Sequence, residues 1–195
     1  MNTPATTSRQ RSGLLVGLAY AAFVSLGLPD GLTGVAWPSI RTTFDLSLDA
    51  LGALITALTI GYLVSSFTSG RVLARVGGGR LLAFSCLATA ASLLGYSISP
   101  FWGLMVALGL LAGLGAGAID AGLNTYAAEN FSPRTVNWLH ASFGLGAATG
   151  PLIMSGVISA GHPWRLGYLI VGLAQLLLAG GFWATRSRGH AGSQV

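Results

Sequence analysis

Apolar residues run along the chain in six long stretches that are separated by short polar or glycine-rich segments. The stretches cover residues 13–40, 48–69, 81–99, 101–128, 135–160 and 164–185. A helix needs roughly 20 mostly apolar residues to cross a bilayer, and each stretch is close to this length or longer. The pattern predicts an all-α membrane protein. Residues 13–185 would form a six-helix transmembrane bundle, with polar tails at residues 1–12 and 186–195.

The first stretch is longer than a single crossing requires, and it contains Gly27-Leu28-Pro29-Asp30-Gly31. Proline removes a backbone donor and disturbs the preceding turn of a helix. The sequence therefore predicts that any break in the first helix falls at this segment.

Composition agrees with a membrane protein, because 52% of the residues are hydrophobic and only 8% are charged. A soluble domain has about 25% charged residues. The 29 glycines suit close contacts between helices in lipid. The single cysteine, Cys86, has no partner for a disulfide or a metal site, so we expect no cofactor and no metal.

The net charge of +5 comes from ten basic residues that are scattered singly between the apolar stretches, which favours a role in topology over binding to nucleic acid. Six crossings place both termini on one side of the membrane. That side would hold Arg9, Arg11, Arg71, Arg75, Arg80, Arg134, Arg186 and Arg188, with Arg41 and Arg165 opposite. By the positive-inside rule, both termini are predicted to be cytoplasmic, in the cell (inner) membrane.

Asp120 is the candidate for chemistry, because it lies in the fourth stretch within the sequence GAGAIDAGLN. A charge at the centre of a bilayer costs about 2.5 to 3.5 kcal/mol on insertion scales, so such residues are usually functional. Gly113, Gly117 and Asn124 share its helix face at about 100° per residue, and we expect this face to turn inward. The alternative is a protonated carboxyl that caps a backbone group.

The fifth stretch carries a second polar face, which includes Asn137 and His140. Counted from the cytoplasmic ends, His140 lies near the depth of Asn124 and about one turn (~5 Å) from Asp120. A contact between Asp120 and His140 is therefore possible. His140 could either titrate or form a hydrogen bond between helices.

The two asparagines and a tryptophan of the first stretch are further candidates for contact with a bound molecule. Asn124 and Asn137 could bind a substrate or join neighbouring helices by hydrogen bonds. Trp37 could stack on a sugar ring or anchor the helix at the membrane interface.

The two halves of the chain also look related. Asp30-Gly31-Leu32 and Asp120-Ala121-Gly122-Leu123 each lie slightly past the middle of the first helix of a three-helix unit. Because those two helices run in opposite directions, the arrangement predicts an inverted 3+3 repeat with the two carboxylates on opposite sides of the midplane.

The segment Gly70-Arg71-Val72-Leu73-Ala74-Arg75-Val76-Gly77-Gly78-Gly79-Arg80 resembles the signature loop of the major facilitator superfamily. Its matching positions are Gly70, Arg75, Gly77 and Arg80. Ala74 stands where the family has Asp, and Gly79 stands where it often has a basic residue. The resemblance implies the N-terminal six-helix half of a transporter that normally has twelve spans.

Two further elements are similar to the fucose-permease-like group of this superfamily. Gly146, Gly150 and Pro151 match the motif that bends the fifth helix. Asp120 with Asn124 matches the acidic residue and asparagine of the proton and sugar site, and Asp30 corresponds to an important Asp of the first helix. The resemblance implies a sugar:proton symporter that works with a second six-helix half, either a second copy or a separate chain.

Apart from Arg165 at the start of the sixth stretch, no Arg or Lys lies within the apolar stretches, so the expected solute is neutral or cationic. One alternative is a non-transporting half or accessory subunit. A remote alternative is an intramembrane protease, but Ser155-Gly156 lacks the first glycine of GxSG and neither Asp lies in a GxGD context.

Overall fold

A computed structural model describes residues 5–185, which form six long helices and no strand. The helices are α1 (Ala5–Phe44), α2 (Leu51–Val76), α3 (Gly78–Ile98), α4 (Trp102–Asn130), α5 (Pro133–Ser159) and α6 (Trp164–Thr185), with a 3₁₀ turn at Leu48–Ala50 before α2. All six are long and apolar enough to cross a membrane. The predicted all-α fold is confirmed. The predicted tail 186–195, with Arg186 and Arg188, lies outside the described residues.

Helix bounds differ from the sequence prediction mainly at two ends. Helix α1 begins at Ala5, within the residues predicted as a tail, and α2 continues to Val76, through most of the predicted loop. Only Gly77 separates α2 from α3. Its φ of 80° suits a residue without a side chain, and its N–H closes the last turn of α2 by donating to the Leu73 carbonyl at 2.9 Å.

Helix α1 passes through Pro29 without a break, unlike the break considered at this segment. Proline has no N–H to donate to the carbonyl four residues earlier, which is that of Ser25. The side-chain Nε2 of Gln175 on α6 donates to this carbonyl at 2.7 Å, and both residues are buried. A neighbouring helix therefore supplies the donor that Pro29 lacks.

Replacing Gln175 with leucine is expected to destabilise the bundle by about 1 to 2 kcal/mol, because the Ser25 carbonyl loses its buried donor. Adding Pro29→Ala should remove most of this cost, since alanine restores the backbone N–H. Reversible unfolding in detergent measures both variants in a double-mutant cycle. An equal cost of Gln175→Leu in the proline and alanine backgrounds would contradict the compensation.

The helices pack in a pattern that repeats when the two three-helix halves are exchanged. Helix α1 packs along α5, and its counterpart α4 packs along α2. Helix α3 packs against α4, α1 against α6, and α3 and α6 pack on each other. Every one of these pairs has its counterpart in the other half, as an inverted 3+3 repeat requires.

Glycines set the distance between helices in the two equivalent pairs. A Cβ at Gly113 or Gly117 on α4 would collide with the backbone carbonyls of Leu58 and Tyr62 on α2, respectively. Between α1 and α5, a Cβ at Gly27 would likewise collide with the carbonyl of Phe143, and one at Gly146 with that of Val24. Backbone therefore meets backbone along both seams, as in small-residue packing within lipid.

Candidate functional site

A cavity of about 420 Å³ lies between α1, α2, α4 and α5. Two carboxylates face it from opposite halves of the repeat, and aromatic and aliphatic side chains form the rest of its wall. The lining residues are Phe23, Leu26, Asp30, Leu58, Tyr62, Ala116, Asp120, His140 and Phe143. The volume lies within the range of small-molecule pockets in proteins.

Asp120 is held by hydrogen bonds to both of its carboxylate oxygens. The hydroxyl of Tyr62 on α2 donates to Oδ2 at 2.5 Å, and the amide of Asn124, one turn along α4, donates Nδ2–H to Oδ1 at 2.9 Å. Each oxygen of the Asp120 carboxyl group thus has one side-chain partner. The predicted inward face of α4 therefore turns towards α2, through Tyr62.

Tyr62 was absent from the sequence prediction. A signal was nevertheless present, since tyrosines of membrane helices concentrate at the two interfaces, whereas Tyr62 is near the middle of the span Leu48–Val76. The hydroxyl also needs a partner at that depth. A mid-span tyrosine thus marks a polar contact, although the sequence does not show with which residue.

Asp30 reaches the same cavity from α1 but is differently placed. Its side chain is exposed towards the open space, and among the described residues it has no hydrogen-bond or ion-pair partner. The first carboxylate of the repeat is therefore free to meet a molecule that enters the cavity.

The other predicted site residues divide between the cavity and the rest of the bundle. His140 lines the cavity and packs edge-on against Phe23, with ring centroids 5.4 Å apart. The hydrogen bonds of Asp120 go to Tyr62 and Asn124, and the contact considered between Asp120 and His140 is not formed. Asn137 is exposed on α5 and is not part of the cavity wall.

Trp37 lies outside the cavity wall. It is 6% exposed and packs against Trp102 at a centroid distance of 5.6 Å, in a core formed by α1, α2, α3, α4, α5 and α6. The structure thus buries this tryptophan in the protein core, away from the cavity wall.

The motif residues of α5 lie in contacts between helices. Those of the α2–α3 connection lie at or near a chain reversal. Gly146 and Gly150 lie against the carbonyls of Val24 and Leu28, and the Pro151 ring lies beside Gly31. In the connection, Gly77 makes the reversal, while Gly70, Arg75 and Arg80 are exposed.

The residues around the cavity are related by the repeat. The shift along the chain that carries Asp30 onto Asp120 also carries Leu26 onto Ala116 and Gly27 onto Gly117. These two glycines approach the backbone carbonyls of Phe143 and Tyr62, respectively, so these two aromatic residues occupy equivalent places. The cavity wall thus contains corresponding residues from both halves of the repeat.

The charges of the cavity wall favour particular solutes. Two carboxylates line it, and no arginine is among its lining residues. Organic anions would meet repulsion there without a fixed cation to offset it. A group of three or more potential metal ligands is absent from the described residues.

Comparison with known proteins supports the resemblance to the superfamily. The family model described as Major Facilitator Superfamily matches residues 15–194. One relative is the "Sodium-dependent glucose transporter 1" of Rattus norvegicus, which is 27% identical over 139 residues. The aligned part is 68% of this chain but only 28% of that transporter, so the chain spans well under two thirds of the relative's length.

Proposed function

The chain belongs to the Major Facilitator Superfamily, and we propose that it forms one half of a secondary active transporter for a small neutral solute such as a sugar. Transport is coupled to protons through Asp30 and Asp120. The observation that carries the proposal is the cavity, in which carboxylates from both halves of an inverted repeat face one space. Solute sites of transporters with such repeats lie near the midplane, between repeated units.

The cavity needs a second wall. Helices α2 and α5 border it and are the least covered of the six, with 17% and 22% of their spans buried against 39% to 61% for the others. Each packs mainly along one helix and exposes large apolar side chains, such as Phe67 and Leu152. A second six-helix bundle, supplied by another copy or by a separate chain, would close the cavity on this side.

The orientation of the proposed transporter follows from its arginines. Arg71, Arg75, Arg80 and Arg134 lie at one end of the bundle, where α2 meets α3 and α4 meets α5, and Arg41 and Arg165 lie at the other. The end that is richer in arginine is placed in the cytoplasm, and the membrane is the cell (inner) membrane.

A sugar is favoured for two independent reasons. The cavity combines carboxylates, which accept hydrogen bonds from hydroxyl groups, with the aromatic rings of Phe23, Tyr62 and Phe143. The name of the rat relative also refers to glucose. That name further refers to sodium, which makes sodium the rival coupling ion.

Uptake of labelled D-glucose into proteoliposomes of the purified chain tests the solute and the coupling ion together. An imposed pH gradient, acidic outside, is expected to drive accumulation, whereas an inward sodium gradient at equal pH is not. Labelled gluconate, an anion of similar size, is the matched control and should not enter.

Three outcomes would count against parts of the proposal. Accumulation with sodium alone would replace the proton as coupling ion. Saturable entry of gluconate would contradict the argument from charge. A chain that stays monomeric on cross-linking in native membranes and shows no uptake would favour the non-transporting half.

A further inference from the structure

We propose that the backbone carbonyl of Gly34 on α1 binds the transported solute by accepting a hydrogen bond from one of its hydroxyl groups. This contact rests on the proposed function, because its ligand is the solute of the same cavity. The carbonyl is made available by Pro38, which lies inside α1 like Pro29.

The Gly34 carbonyl lacks the donor that a helix normally provides. A proline has no N–H for the carbonyl four residues earlier, and for Pro38 this is the carbonyl of Gly34. In the part of the chain that the structure describes, no side chain and no backbone group of another helix donates to it. The carbonyl is therefore a spare acceptor within a membrane span.

The two other prolines inside the described helices leave no such open acceptor. At Pro29 the corresponding carbonyl, that of Ser25, accepts from the side chain of Gln175. At Pro151 on α5 it is the carbonyl of Ala147, which lies against α1 in the close contact at Gly31. One neighbouring helix thus supplies a donor, and the other covers the free group.

Gly34 is open to the space beside its helix. It is exposed, and because glycine has no side chain, the accessible atoms belong to the backbone. A Cβ built at this position would meet no atom within 4 Å. A free carbonyl is costly in contact with lipid and is tolerated where it faces water or a polar molecule. The surroundings of Gly34 should therefore be polar.

The cavity face of α1 continues through Gly34. Asp30 lines the cavity, and Gly34 follows it at the four-residue interval that keeps to one face of a helix. Pro38 and Arg41 continue the same row at intervals of four and three residues, and all four residues are exposed. The carbonyl thus lies about one turn from the acid, towards the end of the bundle that holds Arg41.

The cavity also extends to the depth of Gly34. Leu58 and Tyr62 of α2 line it, and they lie about 11 and 17 Å from the beginning of α2 at Leu51, at ~1.5 Å per residue. Gly34 lies about 15 Å from the end of α1 at Phe44, on the same side of the bundle. A solute between α1 and α2 would therefore pass or contact this carbonyl.

The arrangement fits a molecule with several hydroxyl groups better than a single ion. Side chains of a helix lean towards its N-terminus, whereas its carbonyl groups point towards the C-terminus. The carboxyl group of Asp30 and the carbonyl of Gly34 are thus further apart than the ~6 Å rise between their residues. One cation could not contact both, but two hydroxyl groups of one hexose could each donate to one of them.

Pro38→Ala tests the proposal, because alanine supplies the missing N–H and occupies the Gly34 carbonyl with a bond inside the helix. Alanine is also favoured over proline in a helix interior, so the variant should fold. NMR spectra are recorded on the purified full chain in lipid nanodiscs, with ¹³C in the glycine carbonyls and ¹⁵N in valine. This labelling selects Gly34–Val35 and Gly156–Val157, and Gly156→Ala assigns the two signals.

Pro38→Ala is expected to move the Gly34 signal downfield, since a hydrogen bond deshields a carbonyl carbon. The Gly156 signal should stay in place, because its carbonyl already accepts from the N–H of Ala160 at 3.1 Å. Addition of D-glucose should shift the Gly34 signal in the wild type and leave it unchanged in Pro38→Ala.

Glucose affinity provides a second measurement. Loss of one neutral hydrogen bond should weaken glucose binding to Pro38→Ala about 3- to 10-fold. In a series of monofluorinated glucoses, fluorine replaces one donor hydroxyl at a time. One member should bind the wild type more weakly than glucose does, but bind Pro38→Ala equally well. Pro29→Ala is the matched control: the Ser25 carbonyl already has a donor, so glucose affinity should not change.

The proposal is overturned if Pro38→Ala leaves the Gly34 signal in place, because the carbonyl is then already bonded in the wild type. It is also overturned if glucose binds without shifting that signal, and the proposed function then stands. A shift produced by sodium chloride alone would replace the hydroxyl group by a cation. A wild-type chain that binds no glucose would refute the sugar of the proposed function, and this contact with it.

Discussion

Accumulation driven by a pH gradient is expected to be lost when either Asp30 or Asp120 is replaced by asparagine. The proposed coupling uses both acids, so the variant without Asp30 has lost one of the two carboxylates that carry the proton with the solute. The variant without Asp120 has lost the other carboxylate of the pair. Both substitutions keep the shape of the side chain, so the solute could still enter and leave.

The size of the effect follows from the gradient. Two pH units store about 2.7 kcal/mol per proton, which supports at most about 100-fold accumulation for one proton per solute. For either variant, the ratio of inside to outside glucose should fall to about 1, while exchange of labelled for unlabelled glucose continues. Proteoliposome uptake and counterflow measure the two quantities.

Asp49→Asn is the matched control, because Asp49 is an exposed acid in the turn before α2, outside the cavity. It should accumulate glucose like the wild type. Wild-type accumulation by Asp30→Asn or Asp120→Asn would show that the acid concerned takes no part in coupling.

Adding one methyl group at Gly113 is expected to destabilise the bundle by about 3 kcal/mol, near the upper end of the cost of overpacking a core. The methyl group of Gly113→Ala would collide with the Leu58 carbonyl and lie 2.8 Å from the Tyr62 nitrogen. Backbone atoms cannot rotate away, so α2 and α4 must separate along their whole contact. Thermal unfolding in detergent would record the loss.

Gly144→Ala provides the comparison at an open position, since no atom lies within 4 Å of a Cβ built there. Alanine is favoured over glycine in a helix by about 1 kcal/mol, so this variant should be neutral or slightly stabilised. Equal stabilities of the Gly113 and Gly144 variants would contradict the close contact between α2 and α4.

The number of helices and the inverted repeat could be predicted from the sequence, because polar groups are costly in lipid. They are therefore confined to the connections and to a few matching positions within the helices. Stretches of suitable length had to be helices, and Asp30 and Asp120 marked matching positions in the two halves. The same argument made both acids candidates for a functional site, and the structure finds both in the wall of one cavity.

The partners of those acids were not predictable in the same way. A contact of Asp120 with α5 was considered possible, but its partner on another helix is Tyr62 of α2, because the glycines of α4 fit the backbone of α2. Such choices depend on the surfaces of two helices at once. Trp37 shows the same limit, since its burial against Trp102 depends on how α1 and α4 cross.

The bond between Gln175 and the Ser25 carbonyl has a consequence for how the protein is made. Ser25 enters the bilayer early, but its substitute donor lies 150 residues later, on the last helix. Until α6 is inserted, α1 must hold an unpaired carbonyl in contact with lipid or be shielded by the insertion machinery. A ribosome that stalls before Gln175 should therefore leave α1 open to protease and retained by that machinery, and its release should coincide with the arrival of α6.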